Sequence, residues 1–239
     1  MKAMILAAGL GTRLRPFTQK MPKIMVPING KPLLAYHLRM LKKQGIKEIG
    51  INLHHFPEKI NGFLKNGKQF GIKVLYSYEK KLLGTAGGVK KLENFFKETF
   101  LVLYGDNLIA ANLEPLIQFH KKKRTLVTIA LYQCSEPWTQ GVVQLDKKAR
   151  IVAFIEKPPK ELCSSNELSN AGIYVLEPEI FSHIPSDSFF DFGKNLFPAL
   201  VSKNIPMYGF QLDGYVRDIG SPERLSNVIK DMRQGKTKQ

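Results

Sequence analysis

The chain has 239 residues, 44% of them hydrophobic and 23% charged, which suits one large α/β domain or two small ones around a substantial core. No run of about 18 apolar residues offers a transmembrane helix, and two cysteines, Cys134 and Cys163, are too few for a disulfide framework or a cysteine zinc site, so reduced thiols in the cytoplasm are expected. The formal net charge of +16 leaves three uses open: steering of small polyanions, contact with nucleic acid, or solubility.

The N-terminal apolar stretch is too short for a signal peptide, and Gly11, Thr12, Arg13 and Arg15 follow it at once. Residues 4–7 read as a buried strand feeding a loop. Residues 32–43 read as a helix, with Pro32 in its first turn and Leu34, Leu38 and Leu41 on one face. Strands follow at 49–53, 72–76, 100–104 and 126–131, and helices at 57–65, 86–95 and 113–122. This alternation implies a mostly parallel, doubly wound sheet. The later part is less regular. Short strands are expected at 142–145 and 151–155 around the turn Asp146-Lys147-Lys148, and another at 171–176. Residues 178–183 and 193–202 look helical, and 222–233 form a terminal helix. The densest basic run, Lys121-Lys122-Lys123-Arg124, ends a predicted helix, where cations oppose the dipole favourably. It has no interleaved aromatics, so nucleic acid is not an expected partner; nor, without a long apolar run, is a membrane.

The strongest local pattern is Leu6-Ala7-Ala8-Gly9-Leu10-Gly11-Thr12-Arg13-Leu14-Arg15-Pro16. Its small residues let backbone approach a ligand. Gly9 and Gly11 permit positive φ, so that N–H groups can form an anion nest, and Arg13 adds a planar charged donor. It is neither a Walker loop nor a dinucleotide fingerprint; the glycines alone leave a plain turn open as the lesser alternative. Next comes Met21-Pro22-Lys23-Ile24-Met25-Val26-Pro27-Ile28-Asn29-Gly30-Lys31-Pro32, whose three prolines would hold Lys23 in place. Taken alone, Lys23 reads as a solvated surface lysine.

Together these segments resemble the L-A-A-G-x-G-T-R-L-x-P-x-T signature and the P-K-x-x-x-P-x-x-x-K-P segment of the sugar-1-phosphate nucleotidyltransferases. Four further stretches continue the resemblance to about residue 228: Gly84-Thr85-Ala86-Gly87-Gly88, Tyr104-Gly105-Asp106-Asn107, Phe154-Ile155-Glu156-Lys157-Pro158 with Asn170-Ala171-Gly172-Ile173-Tyr174, and Arg217-Asp218-Ile219-Gly220-Ser221-Pro222-Glu223. In the last, Ser221 stands where the family usually has Thr, which keeps an N-cap hydroxyl.

The resemblance implies a Rossmann-like, doubly wound mixed sheet of the nucleotide-diphospho-sugar transferase type, resembling GT-A folds, with a sugar-binding lobe and without the C-terminal β-helix of longer relatives. It implies one domain, with a nucleotide-binding half at about 1–110, a sugar-binding and metal-completing half at about 111–230, and a short basic tail at 231–239. Leu6, Ala7, Ala8, Gly9, Gly11, Thr12, Arg13 and Lys23 would hold the triphosphate, with Arg13 and Lys23 at the reacting phosphates. Gly84, Thr85, Ala86 and Gly87 would approach the base by their backbone, and Asp106 would complete the nucleotide site. Asn107, Gly141, Glu156, Lys157 and Asn170 would face the sugar phosphate. Asp106 and Asp218 would be the protein ligands of Mg2+. Without that resemblance, Asp106 is equally a turn or capping residue and the Glu156–Lys157 pair a surface ion pair.

The implied reaction makes a nucleotide sugar and pyrophosphate from a nucleoside triphosphate and a sugar 1-phosphate. Segments such as 84–87 and 104–107 resemble mannose-1-phosphate guanylyltransferases most, which favours GTP. The opening 1–9 and Tyr36-His37-Leu38-Arg39 resemble uridylyltransferases acting on N-acetylmuramate 1-phosphate. A non-catalytic nucleotide-sugar sensor is the alternative of another class; a sensor has no need to keep Arg13, Lys23, Asp106 and Asp218 together. His54-His55 suggests a metal pair, but neighbours in a strand point to opposite faces, which favours a structural role.

Overall fold

The computed structural model describes residues 1–237; Lys238 and Gln239, the end of the expected basic tail, lie outside them. In chain order the elements are β1 (Lys2–Leu6), β2 (Pro27–Ile28), β3 (Lys31–Pro32), α1 (Leu33–Lys43), β4 (Glu48–Leu53), α2 (Pro57–Leu64), β5 (Lys73–Tyr78), α3 (Gly84–Lys90), β6 (Phe100–Tyr104), β7 (Asn107–Ala111) and α4 (Glu114–Lys123). They continue with β8 (Val127–Cys134), β9 (Gly141–Leu145), β10 (Ile151–Glu156), β11 (Glu167–Leu176), α5 (Phe197–Ser202), β12 (Met207–Gln211), β13 (Gly214–Asp218) and α6 (Pro222–Arg233). This is a Rossmann-like mixed α/β fold, and it divides into two compact units. Their boundaries interleave instead of falling near residue 110: 1–82, 103–112 and the C-terminal part from Gly214 form the first, and 83–102 with 113–213 the second.

In the first unit β1, β4 and β5 lie side by side, all parallel, with Leu6 opposite Asn52 and Leu53 opposite Tyr78. β1 and β4 are near-continuous apolar runs because parallel strands are covered on both faces. α1 buries Leu33, Leu34, His37, Leu38 and Leu41 on one face, after Pro32 in extended conformation. Two strands absent from the expectation, β7 and β13, form an antiparallel ribbon with Asp218 opposite Asn107. Leu14, Val26, Ile28, Leu33, Leu108, Ile219, Leu225 and Val228 form one apolar cluster. That cluster anchors the ribbon, the loop after β1 and the start of α6 to a common core. α6 opens as expected: the Ser221 hydroxyl accepts from Arg224 N at 3.2 Å, and Pro222 follows it. It runs to Arg233, so 231–233 of the expected tail are helical.

The second unit is where the sheet stops being mostly parallel. β11 pairs antiparallel with β8 and β9, β10 pairs antiparallel with β9, and β12 runs parallel to β8. Antiparallel partners need only short turns, which is why this half lacks the strand–helix alternation. β11 begins at Glu167, earlier than expected, and carries an irregularity between Asn170 and Tyr174 around Gly172 at φ 67. α3 ends at Lys90; 91–95 continue as turns, and Phe96 beyond them stacks on Phe100 at 4.4 Å between ring centroids. The 178–183 segment is a 3-10 helix, and 193–202 is a π turn over Phe192–Leu196 leading into α5. Tyr174, Phe192 and Phe197 meet with centroids 5.0–5.4 Å apart, and Phe154 joins them at 5.2 Å from Phe197.

Candidate active site

The loop after β1 changes from buried to exposed within three residues. Leu6 ends the strand, Ala7 and Ala8 are buried, and Gly9 and Leu10 are exposed. Gly11 adopts φ 64, the left-handed region that favours glycine, and a Cβ there would come within 2.9 Å of Thr18 Cγ2. Gly9 differs from expectation. Its φ is not positive, and nothing lies within 4 Å of where its Cβ would be. Its lack of a side chain leaves the backbone uncovered, and the turn itself is made by Gly11. Thr12–Leu14 form one 3-10 turn that sinks Leu14 into the core and leaves Thr12 and Arg13 exposed.

Lys23 is no solvated lysine. Its side chain is 12% exposed, and its ammonium donates to Asp106 Oδ2 at 2.8 Å and Asp218 Oδ1 at 3.0 Å. The segment 23–25 is a 3-10 turn packed through Ile24, and Pro22 before it is buried, which fixes the lysine's origin. The β7–β13 ribbon fixes the carboxylates: Ile219 N donates to the Asp106 carbonyl at 3.0 Å. Burial works against the charged form of Lys23, but Asp106 and Asp218 outweigh it and hold the ammonium above the usual lysine range. Burial likewise disfavours the Asp106 carboxylate, yet Lys23, with Arg13 contributing, holds it below the usual range. Arg224 NH1 donates to the other Asp218 oxygen at 2.7 Å. Gly105 and Gly220 are obligatory by space: a Cβ at Gly105 would sit 2.5 Å from the Leu6 carbonyl oxygen, and one at Gly220 2.6 Å from Asp218 Oδ2. Asn107 is half-buried, directly opposite Asp218.

In the second unit the turn of Gly84, Thr85, Ala86 and Gly87 docks on residues 188–193. Ala86 N and Gly87 N both donate to the Phe190 carbonyl, at 3.0 and 2.9 Å, and Thr85 Oγ1 donates to Asp191 Oδ2 at 2.8 Å. Gly84 needs φ 72 and has no room for a Cβ beside Phe190. These two amides are therefore spent inside the protein. Glu156 lies beside Gly141, where a Cβ would come within 2.9 Å of Glu156 Oε2, and also beside Gly193. Burial pushes the Glu156 carboxyl up, against Lys157 and Lys194 and together with Asp191. Lys157 is 54% exposed, 3.9 Å from Glu156 Oε1, on a backbone at φ 50 tied to the Gln140 carbonyl at 2.9 Å. Asn170 is buried; its amide donates to Tyr174 OH at 2.7 Å and its carbonyl accepts from Gly172 N at 2.8 Å, so it braces the β11 irregularity.

The structure thus gathers Arg13, Lys23, Asp106 and Asp218 in the first unit, and Gly141, Glu156, Lys157 and the 84–87 turn in the second. Sequence reasoning missed Arg224, Asp191, Thr18 and Asn52. Arg224 had a usable signal, three residues past the N-cap Ser221 and close to Asp218 in the chain. The basic run keeps a structural explanation: it closes α4, and Lys123 Nζ donates to the Lys148 carbonyl at 2.8 Å and lies 4.5 Å over the Tyr208 ring. No helix among the described residues is long and apolar enough to cross a membrane.

The sequence pattern of the nucleotidyl transferase family matches residues 2–235. The chain is similar to the UTP–glucose-1-phosphate uridylyltransferase of Synechocystis sp., 40% identical over an alignment of 234 positions that covers 92% of this chain and 60% of that protein. It is similar to the mannose-1-phosphate guanylyltransferase of Mycobacterium tuberculosis, 33% identical over 98% of this chain and 65% of that protein. The chain therefore spans less than two thirds of the length of these two curated relatives. Its fold is similar to the crystal structure of HddC from Yersinia pseudotuberculosis, with 27% identity and a TM-score of 0.82 over 97% of this chain and 99% of that one.

Proposed function

The chain belongs to the nucleotidyl transferase family, and from that premise we propose that it joins a nucleoside triphosphate to a sugar 1-phosphate and releases pyrophosphate. The observation that carries this reading is the convergence of Asp106 and Asp218 on Lys23 beside the uncovered loop of Gly9 and Arg13. An oxygen of the sugar phosphate must attack the α-phosphorus of an anion. Repulsion is the main obstacle, and positioning with charge neutralisation answers it. Arg13 and Lys23 take the triphosphate oxygens. Glu156 accepts from sugar hydroxyls, Lys157 pairs with the sugar phosphate, and the unused valences of Asn170 face the sugar.

The donor set fits Mg2+. Two carboxylates meet at one cation position. That suits an ion that keeps waters and phosphate oxygens in its shell. Asp106 and Asp218 would hold the ion, which supplies neutralisation of the phosphate charge. Lys23 balances the same carboxylates in its absence.

Mannose 1-phosphate with GTP is the first reading of the substrates, supported by the 84–87 and 104–107 segments and by guanylyltransferases among the relatives. UTP with a hexose 1-phosphate is the second, favoured by the 40% identity to the Synechocystis uridylyltransferase. Pyrophosphate release from four triphosphates, each tried with mannose, glucose and N-acetylmuramate 1-phosphates, separates the two. No release with any pair would return the chain to the sensor class.

A further inference from the structure

β4 ends at Leu53 and runs on into His54-His55, and the side chains of Asn52, His54 and His55 reach the loop after β1 or Glu79, the residue after β5. Asn52 is 2% exposed; its Oδ1 accepts from Ala7 N at 2.7 Å and its Nδ2 donates to Glu79 Oε1 at 2.7 Å. Glu79 is itself buried, and the His54 Nδ1–H donates to its carbonyl at 2.7 Å. His55 Nε2 lies 3.2 Å from the Thr18 carbonyl, and Thr18 Oγ1 donates to the Gly11 carbonyl at 2.7 Å. The loop is therefore held at both ends by side chains from one strand terminus, which also accounts for the histidine pair.

We propose that Asn52 is a positioning residue for the triphosphate loop, with Glu79 fixing the orientation of its amide; this rests on the function proposed above. The chemistry is directional. Ala7 needs an acceptor and Glu79 needs a donor, so only one of the two amide orientations satisfies both. With the Ala7 N–H held inward, the loop leaves the strand in one orientation and Gly9 stays uncovered for an anion. Without it a buried N–H is orphaned, and the loop has a reason to rotate. The proposal differs from a general stabilising role because it acts on phosphate affinity and not on the sugar residues of the second unit.

The test uses the full chain with Mg2+, and inorganic tripolyphosphate as a probe that carries no base. Calorimetric affinity for tripolyphosphate is measured beside the KM values for triphosphate and sugar 1-phosphate. Asn52→Ala is expected to weaken tripolyphosphate about tenfold, the value of one lost hydrogen bond, and to raise the triphosphate KM alike while the sugar 1-phosphate KM stays within about twofold. Asn52→Asp alone sets two carboxylates together and should lose affinity too. Adding Glu79→Gln lets the introduced amide donate to the introduced carboxylate, restores both hydrogen bonds and should restore affinity. The double variant also serves if Asn52→Ala does not fold. Wild-type affinity in Asn52→Ala, equal loss on both substrates, or no rescue in the double variant overturns the proposal. A wild-type chain that binds neither tripolyphosphate nor any of the four triphosphates overturns the proposed function and this inference with it.

Discussion

Asp106 and Asp218 are neighbours because β7 and β13 pair: Asp218 stands opposite Asn107, and Ile219 N donates to the Asp106 carbonyl at 3.0 Å. Backbone pairing, and not side-chain chance, sets the spacing of the two carboxylates. Asp106→Ala and Asp218→Ala should each lower kcat by about a hundredfold or more, the scale of one lost charge-stabilising group. Melting temperatures should stay within a few degrees, since each variant leaves Lys23 one carboxylate partner. Turnover above about a tenth of wild type at saturating Mg2+ would remove that residue from the metal site.

Gly105 and Gly9 should respond oppositely to the same substitution. A Cβ at Gly105 meets the Leu6 carbonyl at 2.5 Å and Ile24 Cδ1 at 2.8 Å, with backbone that cannot yield. Gly105→Ala should cost about 1–3 kcal/mol in urea unfolding. Gly9→Ala meets nothing within 4 Å and needs no unusual φ, so stability should change by less than about 0.5 kcal/mol. Its effect should fall on the KM for triphosphate. The reverse ranking in unfolding would contradict the packing described.

Lys157→Ala should raise the KM for sugar 1-phosphate about tenfold, a charge-assisted contact's worth, and leave the triphosphate KM within about twofold. The side chain is half exposed and only loosely paired with Glu156, so folding should not change. Steady-state kinetics with each substrate varied in turn decides; equal shifts in both KM values would reject the division of labour.

His37 is buried on α1, and neither ring nitrogen has a hydrogen-bond partner of good geometry. Burial lowers its pKa to about 4, which the nearby Gly105 backbone and Asp106 only partly oppose. The folded state therefore carries it neutral, while the unfolded chain takes up a proton as pH falls through about 6.5. Its contribution to stability is whole above about pH 6.5 and is lost as pH falls toward about 4. The full loss is about 3 kcal/mol. His37→Leu should flatten this part of the profile, measured as the difference between wild-type and variant unfolding free energies at pH 7.5 and 5. An unchanged difference would show that His37 is not buried neutral.

The sequence disclosed what was local. β6 and α6 have the expected bounds, the first a short apolar run and the second framed by Ser221, Pro222 and an amphipathic repeat. β7 and β13 were invisible because each is five residues whose partner lies far along the chain, so nothing within either announces the pairing. Lys23 alone reads as a surface lysine, and only its convergence with two distant carboxylates says otherwise. Asn52 gave no sign at all: one asparagine in an apolar strand has no spacing to read, and its meaning rests on Ala7 and Glu79. For Asn170 the family motif names the residue, while the structure adds that Tyr174 and Gly172 already use two of its hydrogen-bonding positions.

The position of β13 also sets an order of events during synthesis. A growing chain emerges N-terminus first, so Lys23 and Asp106 leave the ribosome before every residue of the second unit from Leu113 to Asp213. Throughout that interval the ammonium has at most one of its two acidic partners, and Leu225 and Val228 have not joined the core they share with Leu14 and Leu108. The last ribbon strand and its helix complete the first unit and bring the second carboxylate with them. On the proposed function, competence to hold the ion would thus be among the last properties a nascent molecule acquires.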